Sequence, residues 1–155
     1  MLAIVGAGAI FTGTNPAYTK SELEHHIRAS DSRFFISEPE IVSPLLSATK
    51  AVGIPDSHVR IFNVLGQDVP TGMQSWKTLL EEGEADWLRF DDLKSSQETT
   101  AARLFSSGTT GLPKAVTITH HNMAAQQYLV FESKKRPFRV SFLLLPTSIR
   151  VDSAD

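Results

Sequence analysis

The chain has 155 residues, of which 41% are hydrophobic and 21% charged, with a formal net charge of −2 and no cysteine. That composition suits one globular domain or a piece of a larger one, and it argues against a disordered tail. It excludes disulfides, a thiol nucleophile and a Cys-ligated metal, and the near-neutral charge gives no reason to expect a nucleic-acid partner.

In chain order, residues 9–13 ("AIFTG") form a short strand-like piece that ends in the turn "GTNP". Thr19 and Glu22 make a capping-box signature. The helix after it places Leu23 and Ile27 on one face. Residues 33–37 ("RFFIS") read as a strand. Ser43 and Pro44 read as an N-cap followed by proline at the first helical position. Leu45, Ala48 and Val52 follow at helical spacing, and Gly53 is a stop. Residues 59–64 ("VRIFNV") read as another strand and "GQDVPTG" as a loop. Ser75 caps a short helix with Trp76, Leu79 and Leu80 on its apolar side, ended by Gly83.

Residues 91–100 ("DDLKSSQETT") are polar and read as a surface connection. Residues 100–105 ("TAARLF") and 115–119 ("AVTIT") read as strands on either side of a hydroxyl-rich loop. "HNMAAQQYLVFES" contains helix formers, with Met123, Gln127 and Val130 only loosely spaced. Residues 139–146 ("RVSFLLLP") read as a last buried strand. Strands alternating with helices predict a largely parallel sheet covered by helices, an α/β fold. No apolar run is long enough to cross a bilayer, and "MLAIVGAGAI" lacks the basic start of a signal peptide.

Two glycine-rich stretches invite a nucleotide reading. In "VGAGAIF", Gly6 and Gly8 fit the start of a dinucleotide fingerprint. The third small position falls on Phe11, which is too bulky, and no proper strand precedes Gly6. Small residues packing a helix end are the favoured account. The second stretch is "LFSSGTTGLPKAV", residues 104–116. Ser106, Ser107, Thr109 and Thr110 supply hydroxyls. Gly108 and Gly111 let backbone N–H groups converge on an oxygen-rich ligand, and Lys114 adds a mobile positive charge. A polyphosphate suits such a loop. It is not a Walker A loop, because Pro113 precedes the lysine and Ala115 comes after it. An ordinary polar loop between two strands is the plain alternative.

The run "SSGTTGLPK" resembles the phosphate-binding signature of the adenylate-forming (AMP-binding) superfamily, which includes acyl-CoA synthetases, 4-coumarate–CoA ligases and luciferases. The upstream "GAIFTGTNPAYTKSELEHHIRAS", then "GEADWLRFDD", then "THHNMAAQQ" continue the similarity in the same order, over about residues 3 to 140. The resemblance implies a partial three-layer sandwich of mostly parallel strands covered by helices, part of the large N-terminal domain of such an enzyme. Residues 1–146 would be this partial adenylation domain, and 147–155 a divergent tail.

The activity implied is ATP-dependent conversion of a carboxylic acid to an acyl-adenylate and then to an acyl-CoA thioester. Its partners would be a small-molecule carboxylic acid, ATP with Mg²⁺, and coenzyme A. The nucleotide site would comprise Ser106, Ser107, Gly108, Thr109, Thr110, Gly111, Leu112, Pro113 and Lys114. No catalytic residue and no metal ligand is assigned.

Similar ligases are cytoplasmic or peroxisomal, and no targeting signal is found. The family's histidine-bearing segment, ribose-binding aspartate and C-terminal lysine have no matching position here. The expectation is therefore a truncated ligase that keeps the phosphate grip, is marginally stable and is inactive alone. A non-catalytic remnant that binds a protein partner through an exposed sheet edge is the rival reading. Adjacent His120 and His121 are a poor chelating pair and read as a helix start with Asn122. His25 and His26 read as surface residues of the first capped helix, Trp76, Trp87 and Phe90 as packing residues, and Glu81, Glu82 and Glu84 as a solvated acidic end.

Overall fold

The computed structural model describes residues 1–106 and 113–134. The expected strand 139–146 and tail 147–155 lie outside them. The elements are α1 (Leu2–Gly6), α2 (Lys20–Ser30), β1 (Phe35–Ser37), α3 (Val42–Ala51), β2 (Val59–Ile61), β3 (Gln74–Ser75), α4 (Leu93–Glu98), β4 (Thr100–Ser106), β5 (Lys114–Thr119) and α5 (His120–Lys134). They form two sheets. β1, β2 and β3 are parallel with β2 in the centre, and β4 and β5 form an antiparallel pair.

α2 begins where expected. The Thr19 hydroxyl accepts from the Glu22 amide, and the Glu22 carboxylate accepts from the Thr19 amide at 2.8 Å. The Thr19 hydroxyl also donates to that carboxylate, and this bond, with the one from the Thr19 amide, holds the Glu22 carboxyl below its ordinary value. The inner face of α2 buries Leu23 and Ile27 against Val42, Leu45 and Ala48 of α3 and against Val59 and Ile61 of β2. Gly53, at φ 80°, lets the chain leave α3 with the left-handed turn a side chain resists.

α3 starts earlier than Ser43. A 3₁₀ turn at Pro39–Ile41 leads into Val42, and Ile41 occupies the cap with no side-chain hydrogen bond. Pro44 is then the third helical residue. It is tolerated there because the first-turn amides have no intrahelical acceptor. β2 ends at Ile61 rather than at residue 64. Asn63 accepts from the Ser75 hydroxyl at 2.7 Å and turns its amide to the Gln67 carbonyl, which draws the chain into the Gly66 turn.

Ser75 does act as a cap, accepting from the Lys77 amide, but residues 76–82 wind as a 3₁₀ helix. Trp76 packs on Phe62, whereas Leu79 and Leu80 are exposed, contrary to the expected apolar side. The polar stretch 91–100, expected to be a plain surface connection, also holds a helix. The Asp92 carboxylate accepts from the Ser95 amide at 2.8 Å and starts α4. With a single large apolar residue, Leu93, this helix has no periodic stripe to reveal it.

The stretch 9–13 contributes one parallel bridge, Phe11 to Ala102. Before it, the N-terminal glycines do what packing requires. Gly6 accepts from the Leu88 amide, and a Cβ there would stand 2.7 Å from the Trp87 indole. Gly8 has φ 77° and lies against the Leu88 side chain. Gly8→Ala is expected to cost about 1 kcal/mol from the left-handed backbone alone, read as a lowered urea midpoint.

Candidate nucleotide site

The expected phosphate loop joins β4 to β5, which are antiparallel neighbours rather than members of a parallel sheet. Ser107, Gly108, Thr109, Thr110, Gly111 and Leu112 lie outside the described residues. Ser106, Pro113 and Lys114 are described, and they define the base of the loop.

The ladder pairs Leu104 with Val116, Phe105 with Ala115 and Ser106 with Lys114. Directly opposed residues hold their Cβ atoms about 5 Å apart. The Ser106 hydroxyl and the Lys114 stem therefore share one face of the hairpin at the point where the strands part. Both residues are exposed. Among the described residues, the Lys114 side chain has no ion pair or hydrogen-bond partner. An ammonium with no partner among the described residues, on the same face as a hydroxyl, is chemically able to take an anion.

Side chains alternate along a strand, so Phe105 points to the opposite face. There it meets α2. The His26 ring stacks on Phe105 with 3.9 Å between centroids. His26 is 5% exposed, which corrects the expectation of a surface residue. Its Nε2 lies 3.1 Å from the Thr12 hydroxyl, and Nδ1 is buried with no hydrogen-bond partner. Burial, helped by repulsion from the neighbouring His25, pushes the imidazole from its ordinary 6.5 down to about 4. His25 is half-buried and reaches across to the Pro113 carbonyl at 3.1 Å. Arg103, on the same face as Phe105, donates to the Ser30 carbonyl at the C-terminal end of α2. The helix thus holds β4 at Arg103 and Phe105 and the chain just before β5 at Pro113.

The remaining singled-out residues play lesser parts. The Thr119 hydroxyl accepts from the Asn122 amide while the Asn122 side chain bonds back to Thr119, so His120 and His121 do open a capped helix. His120 packs on Phe90, 4.0 Å between centroids. Trp87 covers Gly6 yet stays 59% exposed, and Glu81, Glu82 and Glu84 are exposed as expected. Among the described residues no group of His, Asp or Glu could hold a metal ion. The burial of His26 had one sequence signal, its place three residues after Leu23 and next to Ile27, which was too weak to separate it from solvent-facing neighbours, and the contact made by His25 had none.

The sequence profile of the AMP-binding enzyme family matches residues 1–149, and the chain belongs to that family. It is similar to the phenylacetyl-CoA ligase epaB of Aspergillus niger, at 44% identity over 146 residues, 93% of this chain and 27% of that ligase. It is 36% identical over 124 residues to the 4-coumarate–CoA ligase-like 1 protein of Arabidopsis thaliana, covering 80% of this chain and 21% of that protein.

In three dimensions it resembles a red-emitting luciferase from Phrixothrix hirtus. The TM-score is 0.70 at 22% identity, over 90% of this chain and 34% of the luciferase. The fold is therefore that of adenylate-forming enzymes, α/β with parallel strands and covering helices. The chain spans about a quarter of the length of the curated ligases it matches. No helix among the described residues is long and apolar enough to cross a membrane.

Proposed function

We propose that this chain carries the polyphosphate grip of an acid–CoA ligase, one that uses ATP to turn a carboxylic acid into an acyl-adenylate and then an acyl-CoA thioester. The observation that carries the reading is the Ser106–Lys114 register pair, which sets a hydroxyl and a cation with no partner among the described residues together at the base of the loop. Ser106 to Lys114 would wrap the β- and γ-phosphates. Pyrophosphate leaves with growing negative charge, and donors already in position stabilise that charge without reorganising. Mg²⁺ would travel with the ATP phosphates, and coenzyme A would accept the acyl group. In this reading residues 1–146 are a partial adenylation domain and 147–155 a tail outside it.

The acid-binding and adenine-binding parts of the reaction are assigned to the remaining three quarters of a full-length ligase. The 155-residue chain is accordingly expected to bind MgATP but to give no ATP–pyrophosphate exchange with a panel of aryl and fatty acids. Lys114→Ala is expected to weaken MgATP binding about ten- to a hundredfold, the loss of one charge-assisted hydrogen bond. Exchange above background would contradict the inactive reading. Undiminished MgATP affinity in Lys114→Ala would remove the phosphate grip and favour the alternative of a non-catalytic protein-binding remnant.

A further inference from the structure

Lys114 is framed from two directions. β4 and β5 rise to the loop as an antiparallel pair, and α2 lies across the face that carries Phe105. His26 stacks on Phe105, on the strand leading into the loop. One residue earlier in the helix, His25 places Nε2 3.1 Å from the carbonyl oxygen of Pro113, the residue just before β5, 88 positions along the chain. A carbonyl only accepts, so Nε2 carries the proton and donates. Proline has no N–H to give to a ladder, but its carbonyl belongs to the same rigid peptide plane as the Lys114 amide. A hydrogen bond to that oxygen therefore fixes the orientation in which the chain enters Lys114. The helix that delivers it is locked at its own start by the Thr19–Glu22 capping box.

The geometry points to His25 as a positioning residue: it holds the Pro113–Lys114 peptide so that the Lys114 ammonium stands on the open face beside Ser106. What Lys114 then holds, a nucleoside polyphosphate, rests on the ligase reading above. The alignment of the peptide itself does not.

Two substitutions in the full chain separate these layers. His25→Gln keeps an N–H donor near the Nε2 position, and His25→Leu keeps bulk while removing the donor. Hydrogen exchange of residues 114–119, followed by mass spectrometry, is expected to quicken about fivefold in His25→Leu and to stay near wild type in His25→Gln. MgATP binding, measured by calorimetry, is expected to weaken about fivefold in His25→Leu, with His25→Gln within about twofold of wild type. Unchanged exchange in His25→Leu overturns the positioning role. Equal losses in both variants overturn it too, since a side chain needed only for packing would not be rescued by a donor. Absence of MgATP binding in the wild type, or full binding by Lys114→Ala, sinks the polyphosphate reading instead. In that case the exchange comparison alone decides whether His25 holds the Lys114 peptide.

Discussion

Lowering the pH from 7 to 5 is expected to destabilise the chain by about 2 kcal/mol through His26 alone. The imidazole sits near 4 in the folded state and near 6.5 when unfolded. Its folded value is depressed, so the unfolded chain takes up the proton first. Stability is therefore complete above about 6.5 and declines as the pH falls from there towards 4. The physical cause is the burial of an imidazole between Phe105 and Thr12, with an unpartnered Nδ1 and with His25 next to it. Of the other ionisable groups nearby, the Tyr18 ring stands 6.2 Å away, and Arg103 is engaged with the end of α2.

The carboxyls of Glu22 and Asp92 are held below their ordinary values by hydrogen bonds from Thr19 and Ser95, and they give up stabilisation only at lower pH. The window between pH 6.5 and 5 therefore lies above the range in which those two carboxyls act, and the His26→Gln comparison assigns the loss within it to His26. Urea midpoints of the wild type should drop across it, and those of His26→Gln should stay nearly level. Parallel declines in the two proteins would refute the assignment. The same drop should loosen the hairpin, because His26 is the stacking partner of the residue that leads into Ser106.

Ile61→Ala is the most damaging single change expected in the core, at about 2–5 kcal/mol. Ile61 is fully buried at the end of the central strand, with Ser37 and Ser75 as its register partners on either side. Small neighbours offer little that could collapse into the space it would leave. A whole domain is stable by only about 5–15 kcal/mol. This chain also exposes many large apolar side chains, among them Leu104, Val116, Tyr128 and Leu129. The variant is thus expected to lose its cooperative urea transition or to show a much lower midpoint. Leu65→Ala, at a residue 85% exposed, should shift the midpoint little. An Ile61→Ala protein melting with the wild type would show that the parallel sheet does not hold the chain together.

How much of this was legible in the sequence depended on the range of the interaction involved. The Thr19–Glu22 box, the Ser75 cap and the Gly53 stop each rest on contacts between residues a few positions apart, and all were found where the local chemistry put them. Ser43–Pro44 misled because a 3₁₀ turn supplied an earlier start, which only the chain before it could reveal. α4 escaped because its signal is one capping aspartate without an apolar stripe. The loop residues Ser106 and Lys114 were legible as a pattern of hydroxyls, glycine and lysine. That they face each other across an antiparallel pair was not, since strand direction is set by which partner completes the ladder.

Local chemistry along the chain was enough to place the capped start of α2 and the buried strand through Val59 and Ile61, while the likeness to adenylate-forming enzymes rested on the resemblance of the run "SSGTTGLPK" and its neighbours. Tertiary structure alone decided that His26 is buried and hard to protonate, that His25 reaches the carbonyl before Lys114, and that Leu79 and Leu80 stay in water. The reason is that burial, and the desolvation that comes with it, belong to a residue's surroundings, and those surroundings arrive from segments dozens of residues away.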